Sequence, residues 1–199
     1  YQRKKMTLLD KCRSGSGNIW RNTTIDHSNY RLYGHEPIYE QSLMLRQGLQ
    51  QDISNNAMMS QRGIINLYHS GAQRDSYVRR GNAMRLHGAD AELLNQDQLR
   101  SLCPFLDYEN ARFPIMGGLL QKRAGTARHD AVAWGYARAA DQRGVDIIQN
   151  CDVTDFRIKD GVCTGVETSK GAIRAGKICV SVAVSTSLVM AKAVLRLPI

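Results

Sequence analysis

The chain has 199 residues, 43% hydrophobic and 23% charged, with a mean hydropathy of −0.37. That composition fits a globular chain able to bury a core and excludes a disordered one. No apolar run approaches the ~20 residues of a membrane-spanning helix, and the net charge of +9 is too scattered to indicate nucleic acid.

The densest basic group, Arg74, Arg79, Arg80 and Arg85, has no aromatic partners for base stacking. A solvated helix face, or one that meets an acidic partner subunit, accounts for it. The five cysteines, Cys12, Cys103, Cys151, Cys163 and Cys179, form no C-x-x-C pair and are odd in number. This argues for a reducing compartment, the cytoplasm, rather than a disulfide framework. The basic opening, Tyr1 to Lys5, leads into an apolar stretch too short for a signal peptide. A first residue that is Tyr rather than Met fits a piece of a longer protein.

In chain order, 6–9 reads as a buried strand ending on Asp10, and 11–20 as a loop carrying Gly15 and Gly17. Pro37 suits the first turn of a helix whose apolar face is Ile38, Leu43, Leu45, Leu49 and Ile53, closed by Asn55 and Asn56. The stretch 58–68 alternates around Gly63 as a hairpin or bent strand. A second helix is expected over 72–86, stopping at Gly88. Asn95 caps a short helix that ends before Pro104, and 113–121 is extended. The alanine-rich run 130–143 is a strong helix with Gly144 as its C-cap and Asp130 as its N-cap, which places His129 at the lip. Short β-branched runs follow at 145–148, 153–158, 162–168 and 178–183, with turns at Lys159-Asp160-Gly161 and Ser169-Lys170-Gly171. A final helix is expected over 185–195, stopped by Pro198.

Two positions invite chemistry. In dinucleotide-binding folds a parallel strand ends on an acid that bonds the adenosine ribose, about twenty residues after a G-x-G-x-x-G turn. Only nine residues precede Asp10, so that turn does not lie before it in this sequence. A bare strand-end acid is the alternative reading. His129 sits where the positive end of a helix macrodipole opposes an imidazolium, favouring a ring with a lone pair for a nucleophile or ligand. A surface polar residue beside a cap is its alternative. His27, His35, His69 and His87 have no metal-ligand spacing, and no P-loop or G-x-S-x-G elbow occurs.

The block running from Gly125-Thr126-Ala127-Arg128-His129-Asp130-Ala131 to Asn150 resembles the D-amino-acid-oxidase-like flavoproteins, and within them the β subunits of heterotetrameric sarcosine oxidases. Two further stretches agree, Gly17 to Tyr30 and Gly161 to Gly171 with its Thr164-Gly165-Val166-Glu167-Thr168 core. The resemblance implies an α/β chain of mixed sheets, a partial FAD-binding Rossmann-like domain with an inserted antiparallel-sheet substrate domain. Its implied boundaries are 1–36 for the partial FAD domain, 37–128 for the substrate or cap domain, and 129–199 for the return to the FAD domain with a β-meander.

It further implies oxidative demethylation of sarcosine or a related N-methyl amino acid, with electrons passing from noncovalent FAD to covalent FMN and then to dioxygen. FMN is expected on His129, with Arg128 beside it as a further cofactor-binding residue. Asp10 and Lys11 stand at the ribose-binding acid, Asn18, Arg21, Asn22, Thr23 and Thr24 toward the FAD ring, and Val153 where a strand backbone meets the adenine. Other subunits of a hetero-oligomeric oxidase are the implied partners, with neither nucleic acid nor membrane. The departures are as specific. The first βα unit and the C-terminal half of the family's subunit have no counterpart. Asp26-His27 stands where the family reads Ile-Arg, so His27 replaces an arginine fork for the substrate carboxylate and Asp26 brings a like charge. Ala183-Val184-Ser185 replaces Ala-Gly-His. A noncatalytic remnant acting as a binding or interaction module stays open beside the enzyme.

Overall fold

A computed structural model describes residues 5–29 and 34–197; residues 1–4 of the basic opening, Tyr30 and the stop at Pro198 lie outside the described residues. In chain order the elements are β1 (Met6–Leu9), a 3-10 turn (Asn18–Arg21), β2 (Ile25–Asp26), α1 (His35–Ile53), β3 (Ile64–Tyr68), α2 (Gly71–Leu86), β4 (Glu92–Asn95) and α3 (Gln96–Leu102). There follow β5 (Gly117–Gln121), β6 (Gly125–Thr126), α4 (His129–Gln142), β7 (Val145–Ile148), β8 (Val153–Lys159), β9 (Val162–Thr168), β10 (Gly171–Arg174), a 3-10 turn (Ala183–Ser185) and α5 (Thr186–Lys192). This is the mixed α/β architecture expected from the sequence. The chain divides into two compact units, Tyr1–Asn22 with Ala133–Ile199, and Thr23–Val132.

In the first unit β1 runs parallel to β7, Met6 opposite Val145 and Leu9 opposite Ile148. The pairing continues past the strand ends, because Asp10 N–H donates to Ile148 O and Cys151 N–H to Asp10 O. Gly144, at φ +84°, makes the left-handed C-cap that turns the chain from α4 into β7. An antiparallel meander β8-β9-β10 follows, and Gly165 lets β10 approach: a Cβ there would stand 2.2 Å from Ile173 O. The run 178–183 is no strand. It has no ladder partner among the described residues, and β-propensity without a neighbour does not make one. The last helix is shorter than expected and ends at Lys192.

The second unit is built on the antiparallel sheet β3-β5-β4, with β5 central and buried throughout. Adjacent residues of β5 face opposite ways. Leu119 therefore packs with Met84 and Ala89, and Leu120 with Leu94, Leu99, Tyr108 and Ile115. The glycines of β5 allow a side chain to cross it: the Tyr68 hydroxyl passes Gly117 (φ +153°) and donates to Leu94 O at 2.9 Å. A Cβ on Gly117 would lie 2.2 Å from both that hydroxyl and Leu94 O.

Several expectations are corrected here. The stretch 58–68 is not a hairpin; only Ile64–Tyr68 is a strand, and its partner is β5. Strands β2, β4, β6 and β10 are too short to show an alternation and were not foreseen. On α1 the buried positions are Glu40, Leu43 and Leu49, while Ile38 and Leu45 are 66% and 55% exposed. The buried line includes an acid because arginine neutralises it, which an apolar pattern cannot register. Asn95 does cap α3, in a capping box with Gln98. No helix among the described residues is long and apolar enough to cross a membrane.

Candidate functional site

Helix α4 begins one residue earlier than expected. His129 is its first residue and Asp130 lies inside the first turn, so Asp130 is not the N-cap. The turn starts there because Arg128 O accepts from Val132 N–H at 3.0 Å. It is tied to other parts of the second unit at each step. Thr126 and Ser60 exchange N–H···O bonds, Ala127 N–H donates to Thr24 O, and Arg128 N–H donates to Ala57 O. Asn55 Nδ2 donates to Ala131 O at 3.0 Å. Gly125 permits the Ser60 crossing, since a Cβ there would stand 2.0 Å from Ser60 O.

The side chains on either side of His129 grip each other. Arg128 Nε and Nη2 donate to Asp130 Oδ1 and Oδ2 at 3.0 and 2.7 Å. This fork-to-fork contact holds the Asp130 carboxyl down to about 2. His129 Nδ1 is buried and has no hydrogen-bond partner, whereas most buried polar side-chain atoms have one.

A second cluster surrounds the residues after β2. Ser28 and Gln121 are fully buried and bond twice: Ser28 N–H donates to Gln121 Oε1 at 3.2 Å, and Gln121 Nε2 donates to Ser28 Oγ at 2.6 Å. Ser28 Oγ donates to Glu40 Oε2 at 2.8 Å, and Arg123 Nη1 donates to Glu40 Oε1. The ring closes through Asp90, which accepts from Arg123 N–H at 2.8 Å and from Gln121 Nε2 at 3.4 Å. Beside it Arg80 Nη2 donates to Asn29 O and to Asn29 Oδ1.

His27 is half-buried within this frame. Burial pushes its ring below the usual histidine range; the nearby Arg80 adds to the shift and Asp26 opposes it. Asp26, the like charge expected from the sequence, has a cationic partner. It is buried, on the opposite face of β2 from the exposed Ile25, and its Oδ1 accepts from Arg46 Nη1. Burial raises its carboxyl above the usual value, more than Arg46 lowers it.

The first unit places Asp10 at the C-terminal end of a parallel strand, where ligands of open α/β sheets bind. Its Oδ1 accepts from Cys12 N–H at 3.1 Å, which orders the loop that follows. Lys11 pairs with Asp152 at 3.2 Å, so Asp10, Lys11 and Val153 gather at one end of this sheet. Val153 O accepts from Lys192 Nζ at 2.6 Å. Asn18 and Arg21 lie on an exposed 3-10 turn, with Asn22 N–H returning to Ile19 O. Thr23 is exposed, and Thr24 takes φ +64° in the second unit. Sequence reading missed Glu40, Arg46, Asn55, Asp90, Gln121 and Arg123. Only Gln121 carried a hint, an uncharged polar residue ending an apolar run. Among the described residues no cluster of three or more His, Cys, Asp or Glu could hold a metal.

A parallel strand pair ending on an acid, joined in sequence to an antiparallel-sheet unit, is the layout of a flavoprotein oxidoreductase. The chain belongs to the FAD-dependent oxidoreductase family, whose model matches residues 1–199. It is 61% identical to the sarcosine oxidase subunit beta of Rhizobium meliloti (strain 1021) over 194 residues, 98% of this chain and 47% of that protein. It is 44% identical to the sarcosine oxidase subunit beta of an Arthrobacter species over 197 residues, 98% of this chain and 48% of that protein. The chain thus spans about half the length of these relatives. In fold it resembles the crystal structure of L-proline dehydrogenase from P. horikoshii, with a TM-score of 0.89 at 19% identity, covering 96% of this chain and 50% of that one.

Proposed function

We propose that this chain is part of a flavin-dependent amine oxidase that demethylates sarcosine or a related N-methyl amino acid. It works together with other subunits, in the cytoplasm. FAD binds noncovalently, with Asp10 and Lys11 at the adenosine ribose, the Val153 backbone at the adenine, and Asn18, Arg21, Asn22, Thr23 and Thr24 toward the isoalloxazine ring. FMN is carried covalently by His129. Bound flavin supplies the two-electron acceptor for the amine and passes the electrons on to dioxygen. The chain's own residues orient the reactants. Residues 37–128 serve as the substrate domain, while 1–36 and 129–199 serve as the flavin-binding part.

The observation that supports this most is the buried, unpartnered Nδ1 of His129 on a turn bonded at successive residues to the rest of its unit. A turn held so firmly, carrying a ring with an unused nitrogen, suits a covalent anchor. His27 receives the substrate carboxylate with a single N–H. Burial keeps its imidazole neutral at neutral pH, so recognition there is weaker than an arginine fork gives. The deciding experiment is to express the full subunit that carries this sequence with riboflavin, precipitate it in acid and measure flavin absorbance on the polypeptide. Acid-stable flavin that disappears in His129→Ala is expected. No covalent flavin, or flavin persisting in that variant, removes the reading.

A further inference from the structure

Arg128 and Asp130 flank His129 and spend their charges on each other. The contact is bidentate, at 3.0 and 2.7 Å, and the Asp130 side chain is 13% exposed against 58% for Arg128. Asp130 Oδ1 also accepts the N–H of Ala131 at 2.8 Å, so the same carboxylate binds the backbone of the first turn. A closed pair between residues i−1 and i+1 restricts the backbone between them, and with it the rotamers open to His129. Below the pair, Arg128 N–H is fixed to Ala57 O and the Ala131 carbonyl to Asn55 Nδ2. The imidazole between them makes no hydrogen bond through Nδ1. The backbone on both sides of the ring is thereby fixed.

We propose that Arg128 and Asp130 are positioning residues for His129, a clamp that holds the imidazole in line for covalent attachment of flavin. This rests on the reading of His129 as the flavin anchor. Attachment forms a bond between a ring nitrogen and the flavin 8-methyl carbon. It breaks a methyl C–H and the ring N–H, and leaves on the flavin two electrons that dioxygen removes. A nitrogen attacking a single methyl carbon must be aligned with it, and misplacement by about 1 Å costs up to roughly a hundredfold in rate.

The Arg128 guanidinium, expected from the resemblance at the cofactor, is engaged by Asp130. Flavin would meet a neutralised pair.

The test compares the unmodified chain with Asp130→Asn, Arg128→Gln, Asp130→Glu and the charge-swapped Arg128→Asp/Asp130→Arg chain, each incubated with FMN. Total flavin after gel filtration and acid-stable flavin after precipitation are read separately. Arg100→Gln, which removes an ion pair with Glu109 elsewhere, is the control. In Asp130→Asn and Arg128→Gln, covalent incorporation should slow about tenfold with total flavin retained. Asp130→Glu should recover most of the rate, the swapped pair only part of it because an arginine cannot accept the Ala131 N–H, and the control should match the unmodified chain. Equal incorporation in all variants overturns the clamp and leaves the anchor standing. Loss of total and covalent flavin together assigns the pair a folding role, and also overturns it. If the unmodified chain takes up no acid-stable flavin while binding FMN, the anchor reading falls, and this one with it.

Discussion

Arg46 on α1 and Asp26 on β2 form an ion pair in which the carboxylate is buried and the guanidinium only half so, with side-chain exposures of 8% and 43%. The second carboxylate oxygen, Oδ2, is buried without a hydrogen-bond partner. The pair lies between a two-residue strand and a helix, where apolar packing would ordinarily suffice.

Removing one partner from such a pair is worse than removing both, because a lone buried charge keeps its desolvation cost. Arg46→Ala should therefore destabilise the chain by roughly 2 kcal/mol. Asp26→Leu combined with Arg46→Leu should come out near neutral or more stable. Urea denaturation of both against the parent measures this, and a double variant less stable than Arg46→Ala would contradict it.

The Ser28–Gln121 double bond predicts a second effect. Gln121→Leu removes an acceptor for Ser28 N–H and a donor to Ser28 Oγ and Asp90. Buried groups left unpaired cost about 1–3 kcal/mol each, so the loss should exceed that of Ser28→Ala. Hydrogen exchange should show the Ser28 amide losing protection first, since its acceptor is the one deleted.

Gly117→Ala places a Cβ against Leu94 O and the Tyr68 hydroxyl. The strand cannot yield without parting from β4, and the Tyr68–Leu94 bond is broken. A loss of about 3 kcal/mol or more is expected. Tyr68→Phe/Gly117→Ala should recover little of it, because the backbone clash persists; full recovery in thermal melts would place the strain in the hydroxyl alone.

Acid should reveal the Arg128–Asp130 contact. The Asp130 carboxyl titrates at about 2 in the fold against 3.8 as a free side chain. A depressed acid stabilises the fold above its unfolded value, and that contribution is lost as pH falls through the folded one. Between pH 3.8 and about 2, Asp130→Asn should thus lose stability less steeply than the parent. Circular dichroism of acid unfolding reads this directly, and identical slopes would count against it.

Helices α2, α3 and α4 and strands β1, β7, β8 and β9 were legible from sequence because their signals are local: caps, C-terminal glycines and β-branched runs between turns. The burial expected of β1 was not met, Met6 and Leu8 being 62% and 47% exposed. The two-residue strands β2 and β6 were not, since each exists only through its partner, Ile25 opposite Thr126 and Asp26 opposite Gly125. The same holds for the site. His129 stood out through its neighbours in sequence. The ring through Ser28, Glu40, Arg123, Asp90 and Gln121 draws on residues whose spacing carries no period, Ser28 and Gln121 being 93 positions apart. The pairing of Asp26 was not legible because its partner Arg46 lies 20 positions away on a helix. Buried charge is legible only when both members of the pair are known.

The order of the two units along the chain also governs when each can assemble. Thr23–Val132 is one uninterrupted stretch, whereas Met6 pairs with Val145 across all of it. On a ribosome β1 emerges before residues 23–132 and can meet β7 only after residues 145–148 are made. Joining ends so far apart costs loop entropy that an already folded insert reduces by drawing residues 23 and 132 into one compact body. The contiguous unit then acts as a template made first, and the parallel strand pair as the closing step, the slower of the two because its contacts are the most distant in sequence.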